Sequence, residues 1–425
     1  MTLTEYPEIK EQVYKEELPN GLTIFVIPKR EYHKRFAMFA ADYGGADRRF
    51  RLGGDWIDTP EGVAHFLEHK MFDMEDGDAL TKLSVNGANS NAYTSTDITA
   101  YHFDCIDMFP ENLEILLDFV STPIFSPESV AKEQGIITQE INMGDDDPDH
   151  CLYYGLMKSI FRTNPQRDPV AGTAESISRI TAETLYDCHR AFYHPSNMVL
   201  CVAGDVEPSQ IADIASKTLP AGRREKPVRD YGPVETMDPL AVRFTKEMEI
   251  SLPIFLAGCK TGPAPRGPDS LRLELVSGMT LDILAGHSSP LYFKLYEEGL
   301  VSTDFSAAFD SAAGAAYMFF GGETRDPDRV FGEVMQEIER ISKNGPEAAY
   351  FDRIKKAALG SQIRMLNSFD AICGSFAGCF FRGYDPYDAI GILSSITPGD
   401  VTAFLRDRMI PGNMAISVIL PKDII

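Results

Sequence analysis

The feature that most constrains the fold is a match of the chain to itself at one fixed offset. Thr181, Arg190, Pro195, Asn197, Met198 and Val202 recur as Thr397, Arg406, Pro411, Asn413, Met414 and Val418, each 216 residues later and without a gap. Matches held in one register across a helix, a break and a strand are the mark of a duplication. In both copies a Thr stands where a helix opens, Pro and Asn break the pattern, and an apolar run (198–203, then 414–420) reads as a strand. A chain that closes twice in the same way folds as two related halves. Its 425 residues agree, since one hydrophobic core rarely organises so long a chain.

Between the halves, residues 219–239 are dense in Pro, Gly and charge, with Arg223, Arg224, Glu225 and Lys226 in the middle and no apolar period. That composition reads as a linker. The expected organisation is an N-terminal domain over 1–220, a linker over 221–239 and a homologous C-terminal domain over 240–425 that carries no metal site. Within the first half, strands are expected at 22–28, 35–43, 91–95 and 98–104, and helices at 60–74, 79–86, 111–121 and 127–143. Paired strands beside long helices predict an α+β fold, each half a mostly antiparallel sheet packed with helices.

Composition narrows the function classes. A formal charge of −23 repels phosphate backbones and anionic membrane surfaces, so nucleic acid and membrane are not expected partners. Seven scattered cysteines with no CxxC pair read as reduced core thiols. The polar, acidic first twenty residues hold no apolar core of a signal peptide, and no apolar run approaches about eighteen residues. A cytoplasmic protein without a membrane anchor is the expectation.

The chemistry concentrates in His65-Phe66-Leu67-Glu68-His69. Residues four apart share a helical face, so His65 and His69 can both present an imidazole to one ion, with Glu68 bordering the same stripe. Thr59 is the expected N-cap, Pro60 suits the first turn and Glu61 complements the positive helix end. A catalytic zinc site needs a third protein ligand and one open position. Glu140 fits, on the helix opened by Ser126-Pro127-Glu128; Glu133, two turns earlier, faces the same way and suits a supporting carboxylate. Alone, the two glutamates would read as a solvated helix face. The apolar company of His65 and His69 argues against that reading for the group, whereas His33, His102, His150, His189, His194 and His287 have no such company and read as structural or surface residues.

The order H-x-x-E-H inverts the commoner H-E-x-x-H and marks the inverzincins. Together with Asn20-Gly21-Leu22, Tyr43-Gly44-Gly45, Gly62-Val63-Ala64 ahead of His65, Gly87-Ala88, Asn91-Ala92-Tyr93-Thr94, the Glu133 and Glu140 pair, and the run from Phe192 to Met198, it makes the chain resemble the pitrilysin and insulinase family, in particular its processing-peptidase-like bacterial members. The resemblance implies a mitochondrial-processing-peptidase-like fold and a zinc-dependent endopeptidase acting on peptides or unfolded segments. It implies one Zn2+ per chain on His65, His69 and Glu140, Glu68 as general base acting on a zinc-activated water, and Glu133 as a second catalytic carboxylate. It also implies that Asn91, Ala92, Tyr93 and Thr94 form an exposed edge on which an extended peptide adds as a strand.

One segment departs from the family. Active members resemble one another in a second-half stretch whose Arg and Tyr bind substrate, but here it runs Leu295-Tyr296-Glu297-Glu298-Gly299-Leu300-Val301-Ser302, with Tyr296 in place of Arg and no Tyr after Gly299-Leu300. By resemblance this is the zinc-bearing subunit of a paired-paralogue peptidase, a heterodimer whose partner supplies Arg and Tyr, or a homodimer when the chain is made alone. The alternative expectation is a catalytically idle, metal-binding subunit that clasps peptides as a chaperone does; an intact Glu68 weighs against it.

Overall fold

The repeated residues build the same junction twice in the computed structural model, which describes residues 1–422. In the first copy the Thr181 hydroxyl caps the helix Ala182–Phe192, a single turn Pro195–Asn197 follows, and the chain enters the strand Met198–Gly204. In the second, the Asp400 carboxylate accepts the Thr397 N–H at 2.8 Å at the head of the helix Pro398–Arg408, and the turn Pro411–Asn413 leads into Ala415–Pro421. Both strands enter their sheets alike. Met198–Gly204 runs parallel to Thr23–Pro28 and antiparallel to Arg35–Ala41, as Ala415–Pro421 runs parallel to Arg243–Met248 and antiparallel to Ile254–Pro263.

The first sheet has seven strands in the order Thr2–Tyr6, Glu11–Glu17, Thr23–Pro28, Met198–Gly204, Arg35–Ala41, Thr99–Cys105, Asn89–Thr94. The second has five, in the order Arg243–Met248, Ala415–Pro421, Ile254–Pro263, Ala315–Glu323, Ser306–Ala312. All other neighbours are antiparallel, and the fold is the expected α+β. The N-terminal hairpin at the far edge of the first sheet was not expected, because its exposed first strand has no apolar face to betray it.

Each sheet is covered on both faces. On one face of the first, Phe39, Tyr101 and Phe103 share a core with Phe66 and Leu67 of the helix Val63–Met71 and with the helices Phe109–Ser121 and Ala182–Phe192. On the other, Phe25, Phe36 and Met38 pack against Phe369, Cys373 and Phe376 of the helix Phe369–Arg382. The second sheet packs Phe255, Met318 and Phe320 against helices including Pro268–Ala285 and Pro327–Asn344, and Tyr317 and Ala415 against Leu156, Met157 and Ile160 of Pro148–Ile160.

The chain forms two compact units, each drawn from more than one stretch of sequence. One consists of Met1–Ile141, Pro169–Tyr231 and Ile363–Tyr387; the other of Asn142–Asp168, Gly232–Gln362 and the chain from Asp388 on. Each takes a covering helix from the other half of the chain. Residues 423–425 of the expected C-terminal domain lie outside the described residues. Much of the expected linker is built into the units: Val228–Arg229 pairs with the short strand Arg49–Arg51, and Arg229 is ion-paired to Asp42 at 3.2 Å and Asp47 at 2.9 Å. Pro and Gly density signalled a linker but could not register a two-residue strand or a partly buried ion pair. Among the described residues no helix is long and apolar enough to cross a membrane.

Candidate metal centre

The helix that carries the histidines is shorter than expected, and its start is set by a glycine. It spans Val63–Met71 with Gly62 as N-cap at φ 89°, and a Cβ on Gly62 would lie 2.4 Å from the Ala171 carbonyl oxygen. Positive φ and that close approach both require glycine. Thr59 is not the cap; its hydroxyl donates to the Arg48 carbonyl at 3.1 Å, and Glu61 pairs with Arg48 at 2.8 Å. After Met71 the chain turns into the small strand pair Asp73–Met74 and Gly77–Asp78, which ends the helix early.

On this helix Phe66, Leu67 and Met71 are buried in the core and turn His65, Glu68 and His69 toward the neighbouring helix Pro127–Asp146. His65 Nε2 lies 3.6 Å from Glu140 Oε1, and His69 Nε2 lies 3.7 Å from Glu140 Oε2. One donor atom from each residue falls within 4.8 Å of the others. Donors about 2.1 Å from one tetrahedral ion stand roughly 3.4 Å apart, so the set fits a single zinc ion with little contraction. Glu133 lies seven residues before Glu140 and holds His69 Nδ1 at 2.9 Å, which leaves His69 Nε2 directed at the group. His65 Nδ1 is buried with no hydrogen-bond partner.

Electrostatics suit a cation. Burial and the neighbouring His69 push His65 down to about 4, so its imidazole is neutral with a lone pair to offer. Burial alone would lower His69 too, but the hydrogen bond to Glu133 and the charges of Glu68, Glu133 and Glu140 outweigh it and raise its pKa. The Glu133 carboxyl is held below its ordinary range by its bond to His69. Glu68, 8% exposed, is raised by burial, while the Thr94 hydroxyl, 2.6 Å from its Oε2, works in the opposite direction.

Among the described residues the strand Asn89–Thr94 is the last of its sheet and pairs only with Thr99–Cys105, so its outer side is an open edge. The four residues expected to meet substrate do not all point the same way. Asn91 and Tyr93 are exposed, Ala92 is partly buried, and Thr94 turns its hydroxyl inward to Glu68. The Asn91 side chain accepts the Ala92 N–H at 2.9 Å. Sequence reasoning missed the polar floor beneath Glu68. Thr99 lies opposite Thr94, and Tyr101, two residues along, meets the Tyr193 hydroxyl at 2.9 Å. The usable signal was the hairpin register, which pairs 94 with 99 and 92 with 101.

Residues 53–174 match the family described as Insulinase (Peptidase family M16), and residues 179–358 match Peptidase M16 inactive domain. The chain is 36% identical to the Bacillus subtilis (strain 168) protein named uncharacterized zinc protease YmfH, over 99% of both chains. It superposes on the crystal structure of an M16-like peptidase from Alicyclobacillus acidocaldarius with a TM-score of 0.94 at 32% identity, covering 99% of this chain and 100% of that one. With pitrilysin the TM-score is 0.78 at 17% identity, covering 99% of this chain and 46% of pitrilysin, a likeness of fold.

Proposed function

Because the chain belongs to the M16, or insulinase, family of peptidases, we propose that it is a zinc-dependent endopeptidase in which His65, His69 and Glu140 hold the metal and Glu68 is the general base. The observation that carries the reading is the convergence of three metal donors from two helices beside the buried carboxylate of Glu68, which shares a helix with His65 and His69. A zinc ion held there supplies Lewis-acid polarisation of the substrate carbonyl and lowers the pKa of a water. Glu68 takes the proton of the attacking water and delivers it to the leaving amine, so no covalent intermediate with the protein is needed. Glu133 acts through His69, fixing its tautomer and ring orientation.

The substrates are extended peptides or unfolded segments. Such a chain would add to the open edge at Asn91, Ala92, Tyr93 and Thr94, where its backbone displaces the Asn91 amide oxygen from the Ala92 N–H. We further propose that the halves 1–220 and 240–425 are homologous domains, the second without a metal site, and that the enzyme works in the cytoplasm as the zinc-bearing subunit of a dimer. The idle, peptide-clasping reading draws on Tyr296, a half-exposed aromatic where the family has Arg. One experiment separates the two. Glu68→Gln, assayed with the paralogous partner present, should retain its zinc and lose about 10²- to 10⁴-fold in peptide cleavage; cleavage equal to the parent's would refute the mechanism, and absence of cleavage by the parent itself would favour the idle subunit.

A further inference from the structure

Thr94 holds the Glu68 carboxylate by one of its two oxygens. The Thr94 hydroxyl donates to Glu68 Oε2 at 2.6 Å, a short charge-assisted hydrogen bond in a mostly buried setting. The one competing acceptor is the Thr99 hydroxyl, 3.3 Å from the Thr94 hydroxyl, and the shorter bond to a carboxylate takes the proton. Thr99, across the hairpin, gives its own hydroxyl proton to the Tyr43 carbonyl at 2.9 Å. Glu68 is otherwise a side chain with three rotatable bonds, and its orientation would be fixed only by packing.

The support behind Thr94 is rigid. The strand ends in a turn closed by the Ser95 N–H to the Ile98 carbonyl at 2.8 Å. The N–H groups of Gly45 and Ala46 bind the carbonyls of Ser95 and Thr96, both at 2.9 Å. A Cβ on Gly44 would stand 2.4 Å from the Asp97 nitrogen, so glycine is what lets the two segments lie together. That loop is pinned in turn by Asp47, which accepts the Gly44 N–H at 2.8 Å and the Tyr231 hydroxyl at 2.8 Å and pairs with Arg229 at 2.9 Å. A chain of short contacts therefore runs from the partly buried Arg229 to the carboxylate of the general base.

We propose that Thr94 is a positioning residue for peptide hydrolysis: its hydroxyl anchors Glu68 Oε2, so that Oε1 is the oxygen that carries the proton. The inference rests on the reading of Glu68 as general base. It also reassigns the Thr94 side chain from substrate contact to support of the base, which ties the peptide-binding edge and the base to one rigid element.

Thr94→Val keeps the shape and removes the hydroxyl; Thr94→Ser keeps the hydroxyl. With the full chain and its copurifying partner, Thr94→Val should lower kcat about ten- to a hundredfold with KM and zinc content unchanged, and Thr94→Ser should stay within about threefold of the parent. Crystal structures supply a readout independent of turnover: the Glu68 carboxylate keeps its place in the Ser variant and leaves it in the Val variant. An unmoved Glu68 in Thr94→Val, or equal loss in the Ser and Val variants, overturns the proposal. If Glu68→Gln is inactive while Thr94→Val turns over at the parental rate, the positioning role alone fails. If Glu68→Gln cleaves normally, the reading of the base fails.

Discussion

His65 is partly buried and His189 is buried, and burial pushes each down to about 4, yet their partners give them opposite roles. His65 has one nitrogen without a partner and the other facing Glu140, whereas His189 Nε2 is bound to the Val120 carbonyl at 3.1 Å and its ring stacks on Tyr193 at 5.0 Å. His189 is a satisfied core residue, and its neutrality couples stability to pH. An ordinary histidine near 6.5 binds its proton in the unfolded chain well before the buried one does, so stability present above about 6.5 is lost as pH falls toward 4. Urea unfolding of zinc-loaded protein at stepped pH should show a shallower acid slope for His189→Gln than for the parent, by up to about 3 kcal/mol over the window; identical slopes would remove His189 from the account. The pairing of His65 with His69 and of Glu133 with Glu140 on shared helix faces was legible in the sequence, because helical spacing is local. The bond from Thr94 to Glu68 was not, because it spans 26 residues and depends on a strand register that spacing does not encode.

At the scale of elements, the repeated helix, turn and strand were readable, since caps, Pro and apolar runs are short-range signals. The exchange of covering helices was not, since Phe369–Arg382 and Pro148–Ile160 carry nothing in their own sequences that says which sheet they cover. The connecting segment shows the same limit. Glu235, expected in a loose linker, accepts the backbone N–H groups of Arg162 at 3.0 Å, Thr163 at 2.7 Å and Asn164 at 2.9 Å, and pairs with Lys260 at 3.2 Å. Burial alone would raise Glu235, but those backbone donors and Lys260 outweigh it and hold the carboxyl down to about 2. Both side chains are nearly sealed from solvent, 6% exposed for Glu235 and 3% for Lys260. Truncating one partner strands the other charge, so Glu235→Ala should cost about 3–5 kcal/mol in denaturant unfolding, and adding Lys260→Met should recover only the part due to the stranded ammonium, since the three backbone N–H groups still lack their acceptor. Hydrogen exchange offers a local check: the amides of residues 162–164 should exchange faster in Glu235→Ala, and unchanged protection there would mean that the segment is held by something else.

At the scale of the whole molecule, duplication supplies two similar sheets, but the site described here draws its donors from the first half alone. What the second half contributes is set by the stretch after Leu295. Tyr296 and Phe293 are half exposed on the helix Pro290–Glu297, and Tyr296 stacks on Tyr292 with ring centroids 5.7 Å apart. A phenol in that stack cannot supply the planar, permanently charged fork of an arginine, and Val301-Ser302 offers no second phenol. Donors aimed at developing charge are commonly worth about 10² to 10³ in rate, so a zinc site without them hydrolyses peptides slowly however well its metal is held. In the dimer proposed above, those groups would come from the partner chain. Mixing this protein with a paralogue that carries Arg and Tyr in the corresponding stretch should raise kcat/KM by about that factor, with no change in zinc content and with saturation at one partner per chain. Glu68→Gln in this chain should abolish the gain. Full activity from the isolated chain, unaffected by the paralogue, would show that hydrolysis here proceeds without those donors.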